Sequence, residues 1–278
     1  MKHFIKQKLF GKPSSAQASR GFPSHALSVA YLDEVSCFET LRAYRGKIFR
    51  LAEHLGRLSE SCRGIGRSAP FTPQGSAKWL GRALKESGFK DALLRVSVHW
   101  EGEGGSLVAI IREFTGLPRE LAERGVRLQT AVPKRSAPRA QDPQIKSSQF
   151  VSGVAAFLDD GNREPYEYVF LSQTGIVAEG TVSNIFLLKE KRLLTPHASS
   201  GILRGVTRSA VIELAEKMGL AAVETLLTRH ELYNAEECFI TNTSSEILPV
   251  VSIDGRRIGE GAPGPVTRKL AKDFQKLT

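Results

Sequence analysis

The sequence predicts an α+β protein divided into two domains. Its 278 residues suffice for one large domain or two of moderate size, and we favour two. Segments of alternating apolar and polar residues are interspersed with segments of helical spacing. Near the middle, the proline-rich AVPKRSAPRAQDPQ breaks any regular element. We therefore expect an N-terminal α+β domain over 1–132, a linker over 133–144 and a C-terminal domain over 145–278.

The elements of the first half follow from their patterns. Residues 36–50 alternate and turn at Arg45-Gly46, which predicts a β-hairpin. The next segment, FRLAEHLGRLSESC, predicts an amphipathic helix because its apolar residues recur at helical spacing. KWLGRALKESG predicts a second helix that ends at Gly88, and DALLRVSVHW and SLVAIIREF predict two strands joined by the glycine-rich EGEGG.

The second half begins with FVSGVAAFLDDG at 150–161, whose apolar spacing predicts a helix. YEYVFLSQTGIVAEGTVSNIFLLKEKRLLT then predicts successive strands around short turns. After a helix that begins near Val206, ECFITNTSSEILPVVSIDG predicts further strands and PVTRKLAKDF a closing helix. We find no internal repeat.

Composition excludes several classes of function. Hydrophobic residues make up 41% and charged residues 24%, as in soluble globular proteins, and no apolar run approaches the roughly 20 residues that span a membrane. The net charge of +10 would attract phosphates or anionic small molecules. Because the basic residues are scattered and no aromatic-interleaved basic motif occurs, we expect no nucleic-acid partner.

Cysteine usage and the N-terminus bear on the compartment. Three widely separated cysteines predict neither a disulfide framework nor a metal site, so we expect a reducing compartment, the cytoplasm. The first 32 residues are basic and contain no acid. This pattern is typical either of a strand with a basic surface or of an organellar targeting segment.

Two stretches predict an anion site. In GILRGVTRSAVIELA, a helix that begins near Val206 leaves its first amides unpaired, Gly205 allows close approach, and Thr207 adds a hydroxyl. A phosphate is the anion that such a construction holds, and plain helix capping is the alternative. TNTSSE offers more hydroxyls and amides at Thr243 and Ser244, with a hydrogen-bonded turn as the alternative.

Three charged residues are candidates for chemistry. Lys146 stands between the proline-rich segment and an apolar helix, where dehydration would lower its pKa until the neutral amine can attack a carbonyl. Arg57, three residues after His54 on a helix, could pair with a doubly charged group in a cleft between the domains. Glu179 lies between an apolar run and Gly180, where a carboxylate favours a cationic partner. A surface lysine, a surface arginine and an edge-strand acid are the alternatives.

The order of these residues resembles the class IV aminotransferases, the fold-type IV pyridoxal-phosphate enzymes. This family includes branched-chain and D-amino-acid aminotransferases and 4-amino-4-deoxychorismate lyase. The resemblance covers residues 36–274 and is strongest in FETLRAYRGKIFRLAEHLGRL, EGTVSNIF, LLTPHASSGILRGVTR and DGRRIGEGAPGPVTRKL. It implies the two-domain fold of the D-amino-acid aminotransferase type.

The resemblance also implies roles. Lys146 would form the Schiff base with pyridoxal 5'-phosphate and carry the proton between the substrate Cα and the cofactor C4′. Glu179 would keep the pyridine nitrogen protonated, so that the ring accepts electrons. The phosphate would be held by Arg57, Gly205, Val206, Thr207, Thr243 and Ser244.

On the substrate side, the resemblance implies contacts from Phe38, Arg95 and Phe150. Arg95 matches a substrate-side arginine of branched-chain enzymes and a basic residue of the lyases. The sequence also departs from the family. Phe150 stands where branched-chain enzymes place a tyrosine and cannot donate a hydrogen bond, and DEVSC at 33–37 replaces a Gly-Asp-Gly turn. The arginine and histidine with which D-amino-acid enzymes bind the substrate carboxylate are not evident in HWEGEGGSLVAII.

We therefore expect an aminotransferase that moves an amino group between an amino acid, of the branched-chain type by preference, and a 2-oxo acid. Aminodeoxychorismate lyase is the first alternative and D-amino-acid aminotransferase the second. The resemblance further implies a homodimer. A basic binding protein on the same fold is the non-enzymatic alternative, and the intact Lys146 and Glu179 argue against it.

Overall fold

The computed structural model describes residues 3–10, 36–101, 104–131, 142–148 and 165–278. Its internal contacts divide the chain into two compact units. The first contains residues 1–115 and 145–150, and the second contains residues 116–144 and 151–278. The helix expected at 150–161, with Phe150, and most of the proposed linker lie outside the described residues.

The first unit is built on an antiparallel sheet with strand order β1-β5-β4-β2-β3. The predicted hairpin is present, and its turn residues Arg45 and Gly46 both have positive φ. The strand pair expected after Gly88 is also present. The five strands are β1 (His3–Phe10), β2 (Cys37–Tyr44), β3 (Lys47–Ile48), β4 (Ala92–Glu101) and β5 (Gly104–Glu113).

Two helices of the first unit, α1 (Leu51–Gly64) and α2 (Pro73–Ser87), confirm the expected amphipathic segments. The Thr72 hydroxyl accepts a hydrogen bond from the Gly75 amide at the start of α2, and Gly88 ends the helix at φ 76°. The helices bury their apolar stripes in one core with alternate residues of the sheet. This core includes Cys37, Leu41, Leu55, Leu58, Cys62, Leu80, Leu94, Val96 and Leu107.

The second unit contains a nine-stranded mixed sheet with the order β11-β10-β9-β12-β13-β6-β7-β8, and β14 pairs with β13. Three of its pairs are parallel: β6 with β13, β6 with β7 and β10 with β11. The strands are β6 (Val126–Thr130), β7 (Glu167–Leu171), β8 (Val177–Gly180), β9 (Asn184–Lys189), β10 (Arg192–Pro196), β11 (Ala221–Thr225), β12 (Glu237–Asn242), β13 (Glu246–Ile253) and β14 (Arg256–Arg257).

Among its described residues, this unit has four α-helices: α3 (Arg119–Arg124), α4 (Val206–Lys217), α5 (Arg229–Tyr233) and α6 (Pro265–Leu277). The buried Glu237 carboxylate accepts hydrogen bonds from the amides of Val266 (3.0 Å) and Thr267 (2.7 Å), so β12 fixes the start of α6. Among the described residues, no helix combines the length and apolar character needed to cross a membrane.

The units divide the chain differently from the expected domain boundaries. Residues 116–132 belong to the second unit, because β6 is hydrogen-bonded between β13 and β7 in the larger sheet. Residues 145–150 belong to the first unit, because this segment is hydrogen-bonded to β2 and α1. Lys146 is therefore part of the first unit, whereas the chain on either side of the segment belongs to the second.

Candidate active site

Backbone hydrogen bonds hold Lys146 on both of its sides. Its amide donates to the Ser61 hydroxyl on α1 (3.1 Å), and its carbonyl accepts from the Phe38 amide on β2 (3.0 Å). Beyond it, the Ser148 amide donates to the Ser36 carbonyl (2.8 Å), and Ser147 forms an isolated antiparallel bridge with Cys37. The position of a half-buried lysine is thus fixed by its main chain.

Two cationic groups contact the ring of Phe38. Lys146 Nζ lies 4.8 Å from the ring centroid, and the guanidinium carbon of Arg95 on β4 lies 3.8 Å from it. Next along β4, the Ser97 hydroxyl is 2.9 Å from His99 Nε2. Burial and then the Arg95 charge lower the pKa of His99, which favours its neutral form. Sequence-predicted Lys146, Phe38 and Arg95 therefore come together in the first unit.

Arg57 is bound by a carboxylate to which the sequence assigned no role. Its Nε and Nη2 donate to the two oxygens of Glu39 at 2.6 and 2.7 Å, a bidentate pair. His54 Nδ1 lies 2.8 Å from Glu39 Oε2. Burial raises the pKa of Glu39, but the Arg57 charge and the hydrogen bonds of Arg57 and His54 outweigh it and hold the pKa at about 2. Arg57 is thus oriented by Glu39, and its role toward a phosphate stays a prediction.

In the second unit, Glu179 lies on β8, an edge strand of the sheet, yet its side chain is buried. Its Oε2 accepts hydrogen bonds from Asn184 Nδ2 (3.0 Å) and from the Leu203 amide (2.8 Å). Asn184 Nδ2 also donates to the Leu203 carbonyl (2.8 Å). The carboxylate is therefore tied to the loop that precedes α4.

Helix α4 begins as the sequence predicts, at Val206, and Gly205 is its N-cap without a side-chain capping bond. A Cβ at Gly205 would collide with Asn184 Oδ1, so only glycine fits here. Val206 and Thr207 are buried in the first turn. Arg208 points elsewhere: it donates to the Pro196 carbonyl (3.0 Å). The amides of the first turn have no partner within the helix, and the role of this stretch toward an anion stays a prediction.

The stretch 241–246 forms the hydrogen-bonded turn that the sequence allowed. Asn242 Oδ1 accepts from the Ser244 amide (2.9 Å), the Ser244 hydroxyl (3.0 Å) and the Ser245 amide (2.7 Å), and Thr243 is half-buried. The turn follows β12, in which Thr241 is the ladder partner of Asn184. Asn184 thus adjoins all three predicted segments of the second unit: Glu179, the start of α4 and the end of β12.

Comparison with known proteins identifies the class. Residues 36–253 match the family described as amino-transferase class IV. The chain belongs to this family.

Among its relatives, a Methanocaldococcus jannaschii protein, provisionally named branched-chain-amino-acid aminotransferase, is 35% identical over 247 residues, which are 86% of each chain. The D-alanine aminotransferase of Bacillus licheniformis is 32% identical over 86% of each chain. The crystal structure of the branched-chain amino acid aminotransferase from Thermobaculum terrenum, in its PLP-form, has a TM-score of 0.78. It is 27% identical, and the match covers 87% of this chain and 84% of its own. The expected fold type and the expected enzyme class are therefore confirmed.

Two residues of the site escaped sequence reasoning. Glu39 and Asn184 both lie within the motifs FETLRAY and EGTVSNIF that carry the resemblance. A buried acid on a strand that faces a helix with a histidine and an arginine is a signal that could have been used for Glu39. Asn184 offered no such signal, because its partners Glu179 and Leu203 meet only through the tertiary fold.

Proposed function

We propose that this aminotransferase uses pyridoxal 5'-phosphate to exchange an amino group between an amino acid and a 2-oxo acid, with branched-chain amino acids as the preferred substrates. The observation that carries the proposal is the clamped, half-buried Lys146, whose amine lies against Phe38 beside the Arg95 guanidinium. The family and the relatives reported above agree with it.

The described residues of the second unit fit such a cofactor. Glu179 is a buried carboxylate that can pair with a protonated ring nitrogen. Helix α4 begins after Gly205 without a side-chain cap, so the amides of its first turn can bind a phosphate. We propose that Gly205, Val206, Thr207, Thr243 and Ser244 hold the phosphate, and the predicted role of Arg57 is part of the same proposal.

When bound, the cofactor supplies an aldehyde that amines can attack and a ring that withdraws electrons. The protein residues do the remaining work. Lys146 Nζ would hold the cofactor covalently, and once free it would take up and return the proton of the substrate Cα. The Glu179 carboxylate holds the proton on the ring nitrogen. Arg57 and the α4 amides bind a group that does not react, so they contribute to binding and alignment.

On the substrate side, we propose that Phe38 supplies an apolar wall and that Arg95 binds an anionic part of the substrate. The same pair suits an apolar amino-acid side chain and a carboxylate in turn, as a transaminase with two substrates requires. The predicted contact of Phe150 extends this proposal. The relative that acts on D-alanine keeps the D-amino-acid aminotransferase as the second candidate.

Lys146→Ala tests the proposal. We expect turnover to vanish and the protein no longer to be modified by borohydride, which reduces the Schiff base of the parent. The melting temperature should stay that of the parent. Lys189→Ala, which removes another half-buried lysine, is the matched control and should keep both properties. Activity above about a hundredth of the parent would contradict the role of Lys146, because proton transfer alone is worth roughly 10² to 10⁴ in rate.

A substrate panel decides between the alternatives. Branched-chain L-amino acids, D-alanine and aminodeoxychorismate are offered separately to holoenzyme with 2-oxoglutarate. Fastest consumption of the branched-chain L-amino acids is the expected result. Preference for D-alanine would establish the D-amino-acid enzyme, and release of pyruvate from aminodeoxychorismate without an amino acceptor would establish the lyase.

We also propose, on the family resemblance, that the enzyme is a homodimer. Its three described cysteines are free and buried, which suits the cytoplasm. Sedimentation equilibrium of the purified chain measures the oligomeric state, and a monomer at assay concentration would refute the homodimer. Fractionation of the source cells tests the cytoplasmic location.

A further inference from the structure

Asn184 lies among the candidate site residues of the second unit, although no chemical role falls to an asparagine there. It lies at the first position of β9 and is buried. Its Nδ2 donates to the Glu179 carboxylate and to the Leu203 carbonyl, and its Oδ1 lies against the Cα of Gly205. One amide group therefore contacts both the acid on β8 and the residue that begins α4.

The orientation of this amide is determined by its partners. Both groups near Nδ2 are oxygen acceptors, a carboxylate and a carbonyl. If the amide were rotated by half a turn, Oδ1 would face two acceptors and neither could be satisfied. The Leu203 amide donates to the same carboxylate oxygen as Asn184. Asn184, Glu179 and Leu203 thus form a closed set of three hydrogen bonds.

These three hydrogen bonds fix the distance between the Glu179 carboxylate and the first turn of α4. Glu179 is anchored on a strand, the first turn of α4 follows Leu203 by three residues, and Asn184 is bonded between them. Displacing either element would break a buried hydrogen bond or press Gly205 into Oδ1. On the proposed function, the two elements bind opposite ends of one cofactor, the ring nitrogen and the phosphate.

We propose that Asn184 is a positioning residue, which keeps the Glu179 carboxylate and the first turn of α4 at the separation that lets one cofactor engage both. This inference rests on the proposed function. Asn184 need not touch the reacting atoms. Its contribution is that binding at the ring and binding at the phosphate reinforce each other, because a single rigid ligand satisfies both elements at once.

The test measures how much the phosphate contributes to binding. Dissociation constants of pyridoxal 5'-phosphate and of pyridoxal, which lacks the phosphate, are titrated by absorbance with the parent apoenzyme and with Asn184→Ala. We expect the ratio of the pyridoxal constant to the pyridoxal 5'-phosphate constant to fall roughly tenfold in the variant, since two buried hydrogen bonds are lost and the phosphate and ring no longer align. The control, Asn234→Ala, removes an exposed asparagine that also donates to a carbonyl, and it should leave the ratio unchanged.

A purely structural role predicts a different outcome. Asn184→Ala would then lower the melting temperature, and any loss of affinity would be equal for the two ligands, so an unchanged ratio overturns the inference. A parent protein that binds neither ligand would instead refute the proposed function. If Asn184→Ala does not fold, Gly205→Ala carries the same measurement, because its new methyl group pushes α4 away from Asn184.

The double variant provides an independent check. Truncating Asn184 removes the atom with which the new methyl group collides, so Gly205→Ala should cost less cofactor affinity in the Asn184→Ala background than in the parent. Costs that simply add would show that the two residues act independently and would contradict the inference.

Discussion

Glu39→Gln should destabilise the first unit by an amount that depends on pH. In the parent, the Glu39 side chain is only 1% exposed and accepts hydrogen bonds from Arg57 at 2.6 and 2.7 Å. Its pKa is lowered from 4.5 to about 2. At about 1.4 kcal/mol for each tenfold change in proton affinity, this difference corresponds to about 3 kcal/mol. Removing one partner of a buried ion pair costs about 3 to 5 kcal/mol, which agrees in size.

The sign of the pH dependence follows from the lowered pKa. The Glu39 contribution is present at pH values above 4.5, the ordinary value, and is lost as the pH falls toward the folded-state value of about 2. The glutamine variant has no carboxyl to titrate. The difference in unfolding free energy between parent and variant should therefore be largest at neutral pH and should shrink by about 3 kcal/mol in acid.

Denaturant titrations followed by tryptophan fluorescence measure this difference. Both tryptophans of the chain, Trp79 and Trp100, belong to the first unit, so the signal reports the unit that contains Glu39. Glu53→Gln is the control, because Glu53 is 47% exposed in its pair with Arg50 and should change stability by less than about 1 kcal/mol. A loss at Glu39 that stays constant from neutral to acidic pH would refute the reasoning.

Four more substitutions test the site and its surroundings. Glu179→Gln should keep cofactor affinity but slow turnover, since an amide cannot hold a proton on the ring nitrogen; unchanged turnover places Glu179 outside the reaction. Arg57→Ala should weaken cofactor binding about ten- to a hundredfold, with a smaller effect on turnover at saturating cofactor, and Thr207→Val should weaken cofactor binding less. If absorbance titration finds the parent's cofactor affinity in Arg57→Ala, Arg57 does not bind the phosphate. Burial raises the pKa of Glu167, so its contribution to the stability of the parent should be lost as the pH rises above 4.5, and Glu167→Gln should not show this loss. Calorimetry that finds the same pH dependence of stability in parent and variant would contradict this.

Local patterns predicted much of the fold. The helix α1 could be expected because its apolar residues repeat at helical spacing, and the end of α2 because Gly88 adopts the left-handed conformation. The strand β6 could not, because its five residues pair in parallel with β13 and β7, which lie far along the chain. The boundary expected at 132 therefore differs from the division into compact units, in which residues 116–144 belong to the second unit.

Less of the candidate site than of the fold could be predicted from the sequence. Lys146 and Glu179 became candidates because their sequence surroundings are unusual for charged residues and match a family motif. The hydrogen bonds that fix them could not be found in this way. Asn184, which bonds Glu179, is bonded to Leu203 across 19 residues of sequence, and no sequence spacing reports such a contact. Sequence patterns thus singled out candidate reactive groups but not the residues that orient them.

The return of residues 145–150 to the first unit has a consequence for synthesis of the chain. On the ribosome, the first 115 residues emerge before any part of the second unit, yet the unit they build lacks its last segment. That segment becomes available only after α3 and β6 have been made, and β6 must then wait for β7 and β13. Lys146, the partner of Ser61 and Phe38, is thus available to the first unit before the strands that complete the larger sheet have been made. Neither unit can be cut from the gene as one uninterrupted stretch.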